Sequence, residues 1–529
     1  MKNNNEKIKI LITDPFEKEG TEILKKAGFV VDEVGKVSPE KLCEIIESYD
    51  VVIVRSSTKI TSDVIKKGKN LKIIGRAGVG LDNIDVEEAT SSGIIVMNAP
   101  EGNTISAAEH TVGMLLSLVR NIPQANNSLK NNKWEKNKFI GTELYGKTIG
   151  IIGLGRIGKR VASIVKSLGM NVLGFDPYVS EEEARNLGIS MISLEGLCRQ
   201  SDFITLHIPL TEETKYLLGE KEFELMKEGV RIINCARGGV IDENALYKYL
   251  CNNKIKGVAL DVFEKEPPTG SPLLQLENVI VTPHLAASTK EAQINVACDL
   301  ANQIVDAFTK KIIRNAINLP CLDEKLMEKL RGYFSLGEKI GILLTQLVDD
   351  NFKEIQIEYS GEIINYDLSL LRSHILKGLL YKDKNVNVVN SPLVLKEKNI
   401  MLKEKRSKSA GEFSNLITVE VNGTKKVSAS GTLIQKGEER IVKLNGFSVE
   451  AVPKGFLLIC YNEDKPGIIG HIGTVLGKRK VNIASMTLGR KEKGGPAITV
   501  LNLDEGIDED VLKEIEEFPA IDSVKLVKL

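Results

Sequence analysis

One short stretch constrains this chain more than any other. Residues 148–152 (TIGII) read as a strand, which runs directly into GLGRIG at 153–158 and then into an amphipathic helix. Each glycine spacing has a physical reason. Gly153 permits a tight turn, Gly155 has no Cβ to keep a pyrophosphate from the backbone, and Gly158 lets the helix pack close to the strand. The free N–H groups and the dipole at that helix N-terminus favour an anion. A second strand, 171–175, ends at Asp176. A carboxylate there accepts hydrogen bonds from ribose hydroxyls and repels a 2′-phosphate, so the pattern predicts NAD rather than NADP.

At 529 residues the chain exceeds what one core can bury, and roughly three or four domains are expected. Lys+Arg and Asp+Glu balance at 71 each, which gives no electrostatic ground for a nucleic-acid or membrane-surface partner. No apolar run approaches the roughly 18 residues of a membrane span. The first residues, MKNNNEK, lack an apolar signal core, so a cytoplasmic location is expected. The seven cysteines are scattered without a C-x-x-C pair, which fits reduced thiols and argues against a structural zinc; no metal site is expected.

Between residues 8 and 100, short apolar runs (8–12, 50–54, 72–75, 94–97) alternate with amphipathic segments (17–27, 39–48, 61–67). That alternation predicts a parallel sheet with helices on its faces. A long helix at 104–119 leads into the half centred on Gly155, which continues with strands at 202–207, 230–235, 257–262 and 279–282. A second long helix follows at 288–309. Two long helices bracketing a nucleotide fold predict a discontinuous partner domain, with the site in the cleft between them at the strand carboxyl ends. Beyond residue 316 a helix is expected at 323–347, with strands at 354–359, 416–421, 427–434 and 440–444. The basic stretch 396–411 reads as an exposed loop. The last 75 or so residues order as strand, helix, strand, strand, helix, strand, the ferredoxin-like arrangement.

Three groups follow strands of the nucleotide half: Arg237 in NCARGG, Glu266 in DVFEKEPP and His284 in VTPHLAAS. Hydride transfer involving an alcohol needs a proton acceptor at the hydroxyl, and histidine suits it near neutral pH. A carboxylate beside the imidazole fixes its tautomer and raises its pKa. An arginine can hold a carboxylate through two parallel hydrogen bonds. His207, His110, His374 and His471 lack an acidic partner in a motif and read as structural or surface residues.

With GLGRIG upstream, GRAGVGLDN at 75–83, NTISAAE at 103–109, KWEKNKF at 133–139 and PHLAAST at 283–289, these residues resemble the D-isomer-specific 2-hydroxyacid dehydrogenases. The likeness extends along essentially the whole chain to the family's long-form members acting on 3-phospho-D-glycerate. The resemblance implies an α/β fold in four parts: a discontinuous flavodoxin-like substrate domain (1–100 and 286–316), a Rossmann NAD domain (101–285), an α+β intervening domain (317–453) and a ferredoxin-like ACT domain (454–529). It implies oxidation of 3-phospho-D-glycerate to 3-phosphooxypyruvate, the first step of serine synthesis, by a homo-oligomer expected to be a tetramer. His284 would be the acid/base, Glu266 its orienting partner and Arg237 the clamp on the α-carboxylate or carbonyl. Arg156 and Ile157 would touch the pyrophosphate. Cys235, Ala236 and Asp261 would line the nicotinamide side, with Asp261 holding the carboxamide or nearby backbone, and Val79 would reach NAD from the partner domain. Arg55, Ser56, Arg76, Gly78 and Asn103 would meet substrate. Lys136 stands where the family often has arginine, in a segment that can reach a neighbouring subunit's site.

The tail motif YNEDKPGI at 461–468, followed by KVNI at 480–483, resembles an ACT effector site. It implies L-serine as an inhibitor held by Asp464 through its ammonium group and by Asn462 and Asn482 through its carboxylate or hydroxyl. Two rivals stand beside this reading: another D-2-hydroxyacid dehydrogenase, such as a glyoxylate or hydroxypyruvate reductase, and a non-catalytic NAD-sensing scaffold.

Overall fold

Four sheets follow one another along the chain. The computed structural model describes residues 7–348 and 352–529; residues 1–6, which bear on the export reading, lie outside them. The first sheet uses β1 (Lys9–Ile12), β2 (Val30–Glu33), β3 (Val51–Val54), β4 (Ile73–Arg76) and β5 (Ile95–Asn98), all parallel, in the order β2-β1-β3-β4-β5. This is the flavodoxin-like order. All four residues of β3 are buried, as expected of a strand covered on both faces. The helix Lys290–Thr309 returns to this sheet, where Val296, Leu300 and Ile304 join Ile10, Ile53 and Ile73 in one core. β2 was not anticipated: as an edge strand with mostly exposed side chains, it carries no hydrophobic alternation.

The second sheet comprises β6 (Thr148–Ile152), β7 (Asn171–Phe175), β8 (Ser190–Met191), β9 (Phe203–Leu206), β10 (Val230–Asn234), β11 (Ile255–Leu260) and β12 (Val279–Val281). Its order is β12-β11-β10-β9-β6-β7-β8. The chain leaves β6 toward one edge and resumes at β9 toward the other, which makes β6/β9 the switch point where open α/β sheets bind ligands. The glycine turn sits there. Gly153 has φ +91°, and a Cβ on Gly158 would lie 2.0 Å from the Gly153 carbonyl oxygen.

The third sheet is built from β13 (Glu354–Gly361), β14 (Met401–Ser407), β15 (Asn415–Asn422), β16 (Lys426–Ile434), β17 (Glu438–Leu444) and β18 (Phe447–Ala451). β14 corrects the reading of 396–411 as a loop. It pairs in parallel with β13 at the sheet edge, and its lysines meet Glu354 and Glu358 of β13. A charged edge strand buries neither face, so no period-2 signal marks it, and its charges discourage pairing with a further strand.

The fourth sheet, β19 (Phe456–Glu463), β20 (Ile483–Arg490), β21 (Pro496–Leu503) and β22 (Ile521–Lys528), is antiparallel in the order β20-β21-β19-β22. With helices Ile468–Lys478 and Glu509–Glu516 it has the ferredoxin-like arrangement. The third and fourth sheets share a core in which Leu343, Ile355 and Val421 pack in one cluster with Leu457, Ile459, Ile498 and Val527. The third part also grips the first: Asn318, Asn387 and Asn390 donate side-chain N–H bonds to the carbonyls of Ile94 (2.8 Å), Gly93 (2.8 Å) and Ser91 (3.1 Å). Among the described residues no helix is long and apolar enough to cross a membrane.

The glycine geometry makes a paired prediction. Gly158→Ala forces the helix off β6 and should lower the stability of this region by about 1–3 kcal/mol. Gly155→Ala has no neighbour within 4 Å to strike and should leave the melting profile unchanged. Scanning calorimetry of both variants checks the contrast.

Candidate active site

The carboxyl ends of the first two sheets face one cleft. From the first come Arg55, just past β3, Arg76, the last residue of β4, and Gly78 and Val79 in the loop after it; Asn103 caps the helix Thr104–Arg120. From the second come Ile157 after the glycine turn, Cys235, Ala236 and Arg237 after β10, and His284 after β12. Of the predicted substrate residues Ser56 alone does not line this cleft; it is exposed on the loop beside Arg55.

His284 and Glu266 meet as expected, with Nδ1 to Oε2 at 2.9 Å. The other Glu266 oxygen accepts the Phe263 N–H at 3.2 Å. The hydrogen bond to Glu266 raises the His284 pKa above the ordinary histidine value, overcoming partial burial, and the Glu266 charge adds to it. Burial works against ionised Glu266, but bonding to His284 and the Phe263 N–H holds its pKa below the usual carboxylate value. The imidazole is therefore oriented through Nδ1, with Nε2 left for chemistry.

His284 has φ +55°, and Asp261 holds it there. Asp261 is fully buried. Its carboxylate accepts the Thr282 hydroxyl (2.6 Å) and the N–H groups of Leu285 (2.7 Å) and Ala286 (2.8 Å). Its own carbonyl accepts the His284 N–H at 2.9 Å. Of the two roles expected for Asp261, the geometry supports the one on neighbouring backbone, beneath the cleft. His110 corrects the sequence reading, because its Nε2 lies 3.3 Å from Asp261 Oδ1 and 3.2 Å from Thr282 Oγ1. His374 likewise has a carboxylate partner, Glu338 at 3.3 Å, whereas the His471 ring meets the Glu514 carbonyl at 3.0 Å and packs against Phe518. These acidic partners come from distant elements, which no local motif records.

Three guanidinium groups crowd the cleft, Arg55 and Arg76 from the first sheet and Arg237 from the second. Burial, then the charges of Arg237 and Arg55, push Arg76 down to about 10. Arg76 Nε and Asn103 Oδ1 are buried without a hydrogen-bond partner among the described residues, unmet polar atoms of the kind a ligand satisfies. A Cβ on Gly78 would lie 1.5 Å from Arg76 Nη1, and one on Gly80 would lie 2.2 Å from Arg237 Nη2. Arg237 donates to the Ala236 carbonyl at 2.7 Å and stands 3.4 Å from Asp82.

The glycine turn fits a dinucleotide. The space beside Gly155 is open, and Gly153 packs on the His207 carbonyl. Asp176, at the end of β7, accepts the N–H groups of Leu154 and Tyr178, both at 2.8 Å, so it braces the turn from below. Arg156 opens the following helix and lies 3.5 Å from Glu101. His207, read from the sequence as structural, lines the same cleft; burial holds its pKa down at about 4, and its Nε2 meets Thr205 Oγ1 at 3.1 Å. Burial, with the nearby Asp261 charge, pushes the Cys235 thiol up to about 12, so it offers an uncharged packing surface.

The predicted effector residues do not meet within one chain. Asn462 and Asp464 share a pocket with Gly467 and Arg490. Asn462 is buried and bonded to Thr499 (3.0 Å) and the Glu463 carbonyl (2.7 Å). Asp464 accepts from Arg490 (2.6 Å) and the Gly494 N–H (3.0 Å). Asn482 lies at the far end of the sheet and donates to Asp504 at 2.7 Å. The register explains the separation: Glu463 pairs with Pro496 at one end of β21, and Ile483 with Leu503 at the other. Among the described residues no group of three His, Cys, Asp or Glu side chains could hold a metal ion.

Comparison with known proteins agrees with this anatomy. The family profile "D-isomer specific 2-hydroxyacid dehydrogenase, NAD binding domain" matches residues 112–286. The "D-3-phosphoglycerate dehydrogenase intervening domain" matches 329–445, and the ACT domain matches 456–520. The chain is 44% identical over 525 residues to D-3-phosphoglycerate dehydrogenase of Methanocaldococcus jannaschii, covering 99% of this chain and 100% of that one. It is 43% identical to the Bacillus subtilis enzyme of the same name, covering 98% and 99%. Among solved structures, D-lactate dehydrogenase from Aquifex aeolicus complexed with NAD and lactic acid superposes with a TM-score of 0.52 at 32% identity, over 57% of this chain and 96% of that one. The protein is an NAD-dependent oxidoreductase. The chain belongs to the D-isomer specific 2-hydroxyacid dehydrogenase family, within its D-3-phosphoglycerate dehydrogenase branch.

Proposed function

We propose that this enzyme oxidises 3-phospho-D-glycerate to 3-phosphooxypyruvate with NAD, at the entry to serine synthesis. The observation that carries the reading is the gathering of Arg55, Arg76 and Arg237 in the cleft that His284 also lines. A substrate with an anion at each end of a three-carbon chain suits that arrangement. Arg237 holds the carboxylate as a two-pronged donor, and Arg55 and Arg76, with Gly78 and Asn103, receive the phosphate end. The domain limits follow: substrate at 1–100 with 286–316, cofactor at 101–285, intervening part at 317–453 and effector part at 454–529.

Bound NAD supplies the hydride acceptor. When bound, its pyrophosphate would be held at Gly155, Arg156 and Ile157 and its ribose by Asp176, while Val79, Cys235 and Ala236 would line the nicotinamide side. As the C2 hydroxyl becomes a carbonyl, His284 Nε2 takes its proton, and the Nδ1–H bond to Glu266 stabilises the imidazolium. In reverse, protonated His284 returns that proton to the carbonyl oxygen. Asp261 keeps the His284 turn rigid throughout. A cytoplasmic homotetramer is the expected setting, with Lys136 offered toward a neighbouring subunit's site.

L-serine is the proposed effector. Binding would exchange the Asp464–Arg490 pair for contacts with the ammonium and carboxylate groups. Asn482 would come from a second copy, since it lies too far away within one chain.

Four measurements test these assignments. NADH oxidation should be fastest with 3-phosphooxypyruvate; a rate that favours hydroxypyruvate or 2-oxoglutarate overturns the substrate, and absence of turnover favours a scaffold. His284→Asn should lower kcat by about 10²–10⁴-fold with NADH affinity kept. Oxidation needs neutral His284, so its acid limb lies at the raised histidine pKa. Glu266→Gln removes the main cause of that rise and should move the limb to lower pH, while reduction, which needs the protonated form, fails at lower pH than in the wild type. Finally, titration calorimetry of the full chain should show L-serine binding that Asp464→Ala abolishes without changing uninhibited kcat. Serine heat that survives this substitution would place the effector elsewhere.

A further inference from the structure

We propose that Asp14 and Asn83 form a two-sided clamp on the loop 55–58, and that by fixing this loop they set the enzyme's preference for a phosphorylated over an unphosphorylated 2-oxo acid. The inference deepens the substrate reading above and rests on it.

The clamp takes the loop by its backbone. Asp14, two residues past β1, is buried. Its Oδ2 accepts the N–H groups of Arg55 (2.5 Å) and Thr58 (3.3 Å), and its Oδ1 accepts the Thr58 hydroxyl (3.0 Å). From the other side, Asn83 Nδ2 donates to the carbonyls of Arg55 (2.7 Å) and Thr58 (2.5 Å). Both backbone polar groups of the first and last loop residues are thus held, which leaves Ser56 and Ser57 exposed between two fixed points. Asn83 is itself fixed, because its carbonyl accepts the Ile60 N–H at 2.8 Å. It belongs to the same segment as Arg76, Gly78 and Asp82, so one side chain ties together the two loops that present Arg55 and Arg76.

The chemistry of each partner is specific. An ionised carboxylate only accepts hydrogen bonds, and three donors converge on Asp14; an amide in its place would turn an N–H group toward one of them. Asn83 must donate twice, which a carboxylate cannot do. Asp14 also places a negative charge behind Arg55 and Arg76, which favours two cations standing side by side without a ligand. Neither Asp14 nor Asn83 lines the cleft, so both act as positioning residues through Arg55.

The test is the ratio of kcat/KM for 3-phosphooxypyruvate to that for hydroxypyruvate, measured with NADH on the full-length enzyme. Asp14→Asn and Asn83→Ala should each lower that ratio by about tenfold or more, chiefly through KM for the phosphorylated substrate. NADH affinity should be unchanged. Asn83→Ala leaves the buried carboxylate in place, so it supplies the answer if Asp14→Asn does not fold. Parallel losses on both substrates, in an enzyme whose wild type prefers the phosphorylated one, overturn the clamp alone. A wild type without that preference overturns the substrate reading and the clamp with it.

Discussion

A carboxylate sealed from solvent at the end of β11 sets the geometry of the catalytic wall. Asp261 would be costly to bury unpaired, but the Thr282 hydroxyl and the Leu285 and Ala286 N–H groups surround it. These bonds, with that of its carbonyl to the His284 N–H, fix the turn on which the imidazole stands. On the next strand, Asn234 donates to the Arg237 carbonyl at 2.8 Å and accepts the Ala236 N–H at 3.0 Å. The Asp261 N–H in turn bonds the Asn234 carbonyl at 2.9 Å. Arg237 and His284 are therefore placed by an acid and an amide on adjacent strands that hold main chain, not by the packing of their own flexible side chains. The opposite wall repeats the device with Asp14 and Asn83 around Arg55.

This division explains what was legible in the sequence. The glycine turn, Arg237 and His284 could be read because their placement is local: each follows a strand at short range, and strand carboxyl ends form ligand sites. Glu266 was legible because a proton acceptor calls for a carboxylate partner. The supporting residues were hidden by distance. His110 meets Thr282 across 172 residues, and Asn83 meets Arg55 across 28. Nothing in a short window distinguishes such an asparagine from a turn former. β14 was hidden for a different reason: apart from Leu402, which packs on the core, its side chains mostly face water or opposite charges, so its strand character resides chiefly in backbone pairing with β13. The residues proposed for the effector form a motif in the sequence but not one site within a single chain, because sheet register separates Asn482 from Asp464.

The third and fourth sheets were expected as separate units, and their topologies are separate. Their apolar residues are not. Leu457 and Ile459 of β19 pack in the same cluster as Leu343 and Val421, and the Thr487 hydroxyl of β20 bonds the Glu450 carbonyl of β18 at 2.6 Å. A displacement of the effector sheet therefore carries the intervening sheet with it, since sliding one over the other would open apolar surface to water. The ACT tail is thus part of a joined body with the intervening sheet rather than an independent appendage.

That body meets the substrate half through asparagine side chains that hold carbonyl oxygens at 91, 93 and 94. Carbonyls are the same whatever the side chain, so these three bonds follow the course of the main chain, although Asn318 also meets the Thr90 hydroxyl at 3.1 Å. Ser91 and Ser92 can change without removing a bond partner, whereas Ile94 is buried in the core of the first sheet. Gly93 is the exception, since a Cβ there would stand 2.2 Å from the Asn387 amide nitrogen. These carbonyl bonds are thus indifferent to the side chains at 91 and 92 and intolerant of a single methyl group at 93. The sequence on either side of them can diverge while the backbone course at the joint is kept.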